Sequence, residues 1–188
     1  MEPSATGRRT YVLVDGENID ATLGGSLLQR RPTPEERPRW ERVTQYAEAV
    51  WGQPVTGLFF LNASHGQLPM TFVQALLAMD YRPVPLSGRA DQKVVDIGIQ
   101  RTLDVLVDRD ADVFLCSHDA DFAPQMEALL GGERRVGVIG LREYASFQYS
   151  NLGIQIHDLE DDVQAFKVPL PRVKVIPLDA FDPAYFLR

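Results

Sequence analysis

The chain has 188 residues, 45% of them hydrophobic, with one cysteine and a formal net charge of -7. That length supports one sizeable core and leaves little room for a second, and a lone Cys116 excludes an internal disulfide framework. No apolar run reaches the ~18 residues of a membrane span, and the polar opening MEPSATGRRT lacks the apolar core of a secretory signal, so a cytoplasmic protein with no membrane attachment is expected.

The predicted elements alternate along the chain. Residues 10–16 (TYVLVDG) form a strand that spills into a turn. Residues 24–43 (GGSLLQRRPTPEERPRWERV) then break the pattern; their Arg/Pro-rich part, 24–39, reads as a long mobile loop or lid. Apolar positions three and four apart predict a helix over 41–51, followed by a strand at 54–62 (PVTGLFFLN). A helix at 70–80, a strand at 81–86 and a helix at 93–109 come next. The chain continues with a strand at 111–117 (ADVFLCS), a helix at 122–130 and strands at 134–140 and 153–159. Such alternation predicts βαβ units, hence an α/β fold: a three-layer α/β/α sandwich around a mostly parallel sheet. Residues 167–188 mix Val, Ile and Leu with prolines and read as an extended arm following a domain at 8–166. Packing back across the domain and packing onto a second subunit are both open for this arm, and exchange within a homodimer is one expectation.

Ligands in such folds bind beyond the carboxyl ends of the strands, which directs attention to the residues there. Asp15-Gly16-Glu17-Asn18 follows the first strand, and Ser117-His118-Asp119-Ala120-Asp121 follows the strand at 111–117. Asp96 stands among Val94, Val95 and Ile97, where an unpaired acid is expensive. Taken singly, each acid has a structural explanation: Asp15 as a turn former, Asp121 as the N-cap of the next helix. Taken together, Asp15, Asp96, Asp119 and Asp121 are expected to converge on one acidic pocket. Gathered round a divalent cation they would be neutralised locally, so the negative net charge does not exclude a phosphate-bearing partner.

Hard oxygen donors without His or Cys companions suit Mg2+ or Mn2+, and His65, His118 and His157 are too scattered for a zinc motif. Carboxylate-held magnesium acts mostly on phosphates, and no G-x-x-x-x-G-K-[ST] loop is present, which leaves phosphodiester hydrolysis. A phosphatase with Asp15 as nucleophile is a more distant alternative. Cys116 reads as an inert core thiol, and His118 as a loop residue packed beside the pocket in preference to a general acid.

Asp15-Gly16-Glu17-Asn18, Lys93-Val94-Val95-Asp96, Ser117 to Phe122 with Pro124 behind it, and Ser150-Asn151-Leu152 resemble, in order and spacing, the motifs of NYN domains, members of the PIN-like nuclease superfamily. The resemblance covers residues 8–166 and implies a metal-dependent endoribonuclease acting on RNA, expected to be single-stranded. By position it implies Asp15, Asp96, Asp119 and Asp121 as catalytic metal ligands. Asn18, Lys93 and Ser117 match its other motif residues and, with Arg89, are the expected substrate contacts. Two positions depart from the pattern: His118 stands where the family has glycine, and Thr102 stands where many relatives carry a further acid, with Asp104 two residues on. A PIN-like module that binds RNA or a protein without turnover is therefore the alternative. Arg30, Arg31, Arg37, Arg39 and Arg42, with Trp40 among them, could hold a single strand, or could be offset by Glu35, Glu36 and Glu41.

Overall fold

The structure, a computed structural model, describes residues 7–188; the first six residues of the polar opening lie outside it. Its strands are β1 (Arg9–Asp15), β2 (Val55–Asn62), β3 (Tyr81–Leu86), β4 (Ala111–Cys116), β5 (Val136–Gly140) and β6 (Gln155–Asp158). They form one sheet in the order β3-β2-β1-β4-β5-β6, and every pairing is parallel. Parallel strands need crossovers, and helices supply them on both faces. These are α1 (Gly16–Ala21), α2 (Trp40–Trp51), α3 (Met70–Ala78), α4 (Val94–Leu106), α5 (Ala123–Leu130) and α6 (Phe147–Asn151).

Because side chains alternate along a strand, each central strand feeds two cores. Val12, Val14, Phe59, Phe114 and Cys116 pack with residues of α1, α2 and α3. Their neighbours Leu13, Phe60, Val113 and Leu115 pack with α4, α5 and α6. Full burial of each such side chain contributes roughly 1.5–3 kcal/mol, so the sheet is held from both sides. The edge strand β3 carries Pro83 and Pro85, which cannot donate to a ladder and are tolerated only at an edge.

Two expectations need correction. Half of the long loop predicted at 24–39 is helical: a π-helix, Thr22–Leu28, continues α1, and a 3-10 turn spans Pro34–Glu36, while 29–33 and 37–39 are irregular. Leu23 is fully buried and Leu27 packs on the same core, which outweighs the poor helix propensity of Gly24 and Gly25. The arginines here are mostly neutralised. Arg30 meets Glu36 at 2.8 and 2.5 Å, Arg37 meets Asp20 at 2.7 Å, and Arg39 meets Glu41 at 3.1 Å. Trp40 is 7% exposed, a core residue at the start of α2 in place of an exposed stacking platform.

The C-terminal stretch packs back as far as Lys174, which meets Asp161 at 2.9 Å, and its most buried tie is Arg172. That side chain is 2% exposed and meets the carboxylates of Asp158 and Glu143 at 2.5 Å and of Glu160 at 3.1 Å. Beyond it, Val173, Val175, Leu178 and Leu187 stand in solvent, with a short helix α7 at Pro183–Phe186. Among the described residues no helix is long and apolar enough to cross a membrane.

Candidate functional site

In an open parallel sheet the ligand crevice lies where the strand order reverses. Here that point falls between β1, which continues to β2, and β4, which continues to β5. Val14 pairs with Cys116, so Asp15 and Ser117 reach the crevice side by side. Alternation then assigns the sides. Asp15 and Ser117 follow Leu13 and Leu115 onto the face covered by α4, while His118 follows Phe114 and Cys116 onto the face covered by α1.

Asp96 enters from α4, in a first turn where the helix dipole favours a carboxylate, and its side chain is 20% exposed. One oxygen each of Asp96, Asp119 and Asp121 lies within 4.8 Å of the others. Asp15 stands outside that triplet, 3% exposed, accepting the Ser117 hydroxyl at 2.9 Å. Burial, reinforced by Asp96 and Asp119, pushes the Asp15 carboxyl up to about 6 in spite of that hydrogen bond. Asp96 is raised as well, first by burial and then by Asp119. Both carboxyls are raised first by burial and only then by neighbouring carboxylates, and Lys93 opposes the shift of Asp96. Lys93 reaches the group only loosely, 4.0 Å from Asp96 and 3.9 Å from Asp121, and an exposed pair of that length is weak. An all-carboxylate donor set with excess negative charge fits a hard divalent cation.

The loop that carries two of the carboxylates is tied at nearly every backbone group. The His118 N–H donates to Asn18 Oδ1 at 2.8 Å and the Ser146 N–H donates to the His118 carbonyl at 3.1 Å. The Tyr149 hydroxyl donates to the Asp119 carbonyl, and Gln100 Nε2 donates to the Asp121 carbonyl at 3.1 Å. Asp119 also caps the 3-10 turn Ala120–Phe122, accepting the Asp121 N–H at 3.0 Å. The cap is thus Asp119, not Asp121, because that turn intervenes before α5 and leaves the Asp121 side chain 48% exposed.

The other expected site residues are spread through this geometry. Ser117, expected against substrate, is fully buried; its hydroxyl donates to Asp15 and accepts the Asp119 N–H at 3.2 Å, so it positions carboxylates. Asn18, also expected against substrate, spends its carbonyl oxygen on the loop. Arg89 is exposed and faces Asp91 at 3.3 Å. Thr102 donates its hydroxyl to the Gly98 carbonyl at 2.7 Å and Asp104 faces solvent, so neither extends the triplet. Ser150 and Asn151 are exposed. Their neighbour Tyr149 is the member of that segment that reaches the loop. Tyr149 and Gln100 carried no sequence signal, since each acts through a backbone carbonyl distant in the chain.

His118 is 6% exposed and fits without a left-handed backbone. Its Nε2 accepts the Leu141 N–H at 2.8 Å and its Nδ1 meets the Thr22 hydroxyl at 2.9 Å. A ring nitrogen that accepts an amide N–H carries no proton, so the imidazole is neutral with Nδ1 as donor. Burial holds its pKa down at about 4. With both nitrogens occupied it braces the crevice from the α1 face and has no proton to offer a leaving group.

A family model described as NYN domain matches residues 9–152. No curated protein matches the chain. Among solved structures, a protein of unknown function from Vibrio parahaemolyticus is similar, with a TM-score of 0.65 and 17% identity over 85% of this chain and 97% of that one. At that identity the likeness speaks for the fold alone.

Proposed function

The chain belongs to the NYN domain family of the PIN-like nuclease superfamily, and from that premise we propose that it is a divalent-metal-dependent endoribonuclease acting on single-stranded RNA. The observation that carries this reading is the convergence of Asp96, Asp119 and Asp121 within 4.8 Å at the strand-order reversal, beside a buried Asp15. In it the three carboxylates hold Mg2+ or Mn2+, which supplies Lewis acidity toward a phosphodiester. Asp15, held by Ser117, orients the inner side of the centre and adds negative charge that favours cation entry. Lys93, at the rim, offers its ammonium to a phosphate oxygen, and the tied loop keeps Asp119 and Asp121 in place without rearrangement on binding.

Purified protein incubated with mixed single-stranded RNA and manganese tests the reading. Cleavage is expected in wild type and is expected to fall by about two orders of magnitude in Asp96→Asn and Asp119→Asn, where a metal ligand is weakened. Without metal, Asp119→Asn should melt at or above the wild-type temperature, because Asn still caps the turn and one crowded charge is gone. Undiminished cleavage in both variants would remove the carboxylates from the chemistry. The second reading, an RNA-binding module without turnover, is favoured by Thr102, which stands where many relatives carry an acid and whose hydroxyl is committed to its own helix. Strand binding with no cleavage by wild type would select it.

A further inference from the structure

A cleft of about 360 Å3 opens beyond the ends of β1 and β2. Its floor begins with Gly16 and Glu17, directly after Asp15, and Phe59, Phe72 and Trp40 line it. The ring of Phe59 meets Trp40 edge-on at 5.1 Å and Phe72 edge-on at 5.2 Å. Phe59 and Trp40 are buried, whereas Phe72 is only partly so and forms the accessible aromatic wall. Glu17 also lines a neighbouring cleft of about 270 Å3 that contains Lys93 and Asp96. The two spaces therefore share a wall, and one of them ends at the carboxylates.

The charge in the aromatic cleft is selective. Arg30, Arg37 and Arg39 each face an acid, but among the described residues Arg31, which lines the cleft, faces none. Glu17 in the same lining also has no ion pair among the described residues, so the cleft is not cationic overall; an aromatic wall beside an unpaired guanidinium still matches a nucleotide, in which the ring stacks a base and the cation meets the adjacent phosphate. We propose that this cleft holds the base of the nucleotide next to the scissile phosphate, through stacking on Phe72 and a phosphate contact from Arg31. The inference rests on the ribonuclease reading for its substrate class. It adds a base-holding subsite, in which one base of that strand turns into the protein.

The test measures equilibrium binding of the full chain in EDTA to two labelled strands, a nine-nucleotide oligouridylate and a ribose-phosphate strand of equal length and charge without bases. Wild type is expected to prefer the base-bearing strand by about 5- to 100-fold, the range that stacking of one base supports. Phe72→Leu keeps an apolar side chain in a partly exposed position and is expected to bring that preference below about twofold. Arg31→Gln is expected to weaken both strands equally, since both carry the phosphate it meets. The proposal is overturned if wild type binds the two strands within twofold or binds neither, or if Phe72→Leu retains the wild-type preference. Because metal is absent, failure here leaves manganese-dependent cleavage standing, and absence of cleavage leaves a measured base preference standing.

Discussion

At the scale of single residues, Asp15 and His118 lie on opposite faces of one crevice and titrate in opposite senses. His118 has a folded pKa of about 4 against an ordinary value of 6.5. Between those values the unfolded chain binds the extra proton, so the histidine's contribution to stability is lost as pH falls through that window. Asp15 has a folded pKa of about 6 against an ordinary value of 3.8. There the folded chain holds the extra proton, and the carboxyl's contribution is lost as pH rises toward 6. In metal-free protein the two slopes offset each other. Replacing Asp15 with Asn removes one of them, so unfolding free energy between pH 4 and 6.5 should climb by on the order of 2–3 kcal/mol more in Asp15→Asn than in wild type. Urea unfolding in EDTA at stepped pH measures this; parallel profiles would mean that Asp15 titrates like a surface carboxyl. The same scale explains how a histidine fits where relatives have glycine. A Cβ on Gly140 of β5 would lie 2.8 Å from His118 Cδ2, so the ring fills the space a missing side chain leaves open.

At the scale of elements, the junction of β1 and α1 depends on a close approach. A Cβ on Gly16 would lie 2.5 Å from the tip of Phe59, which Trp40, Phe72 and Tyr81 hem in. Gly16→Ala is therefore expected to destabilise by about 1–3 kcal/mol despite alanine's better helix propensity. Thermal melts should show a drop of several degrees; an unchanged midpoint would show that the Phe59 ring can swing away. In the sequence this glycine only followed Asp15, itself read as a turn former, and the central strands were legible because strands buried on both faces read as short continuous apolar runs. Convergence of Asp119 and Asp121 was legible from their place after a strand, and that of Asp96 from its apolar neighbours Val94, Val95 and Ile97. That Asp15 stands outside the triplet was not, since it depends on a hydrogen bond to Ser117, 102 positions away. The helical turns at 22–28 and 34–36 were hidden for a similar reason: Gly24, Gly25 and the prolines read as breakers, while what orders the segment is burial of Leu23 and pairing of Arg37 with Asp20.

At the scale of the whole molecule, the C-terminal stretch is fastened by one buried cation. Asp158 is fully buried; burial alone would raise its carboxyl, but Arg172 and the backbone N–H groups of Asp161 and Arg142 hold it well below the usual range. Arg172→Met leaves that charge without its guanidinium and is expected to cost about 3 kcal/mol, measured by urea unfolding at neutral pH. A loss under about 1 kcal/mol would show that the backbone N–H groups suffice for Asp158. The strand order has a consequence in time as well as in space. β1 is made first yet lies in the middle of the sheet, and its partner β4 follows β2 and β3 in the chain. With 102 positions separating Asp15 from Ser117, synthesis at about 5–20 residues per second leaves roughly 5–20 s between their appearances. Throughout that interval one edge of the first strand waits unpaired, and no nascent chain can assemble the carboxylates before Asp121 has been made.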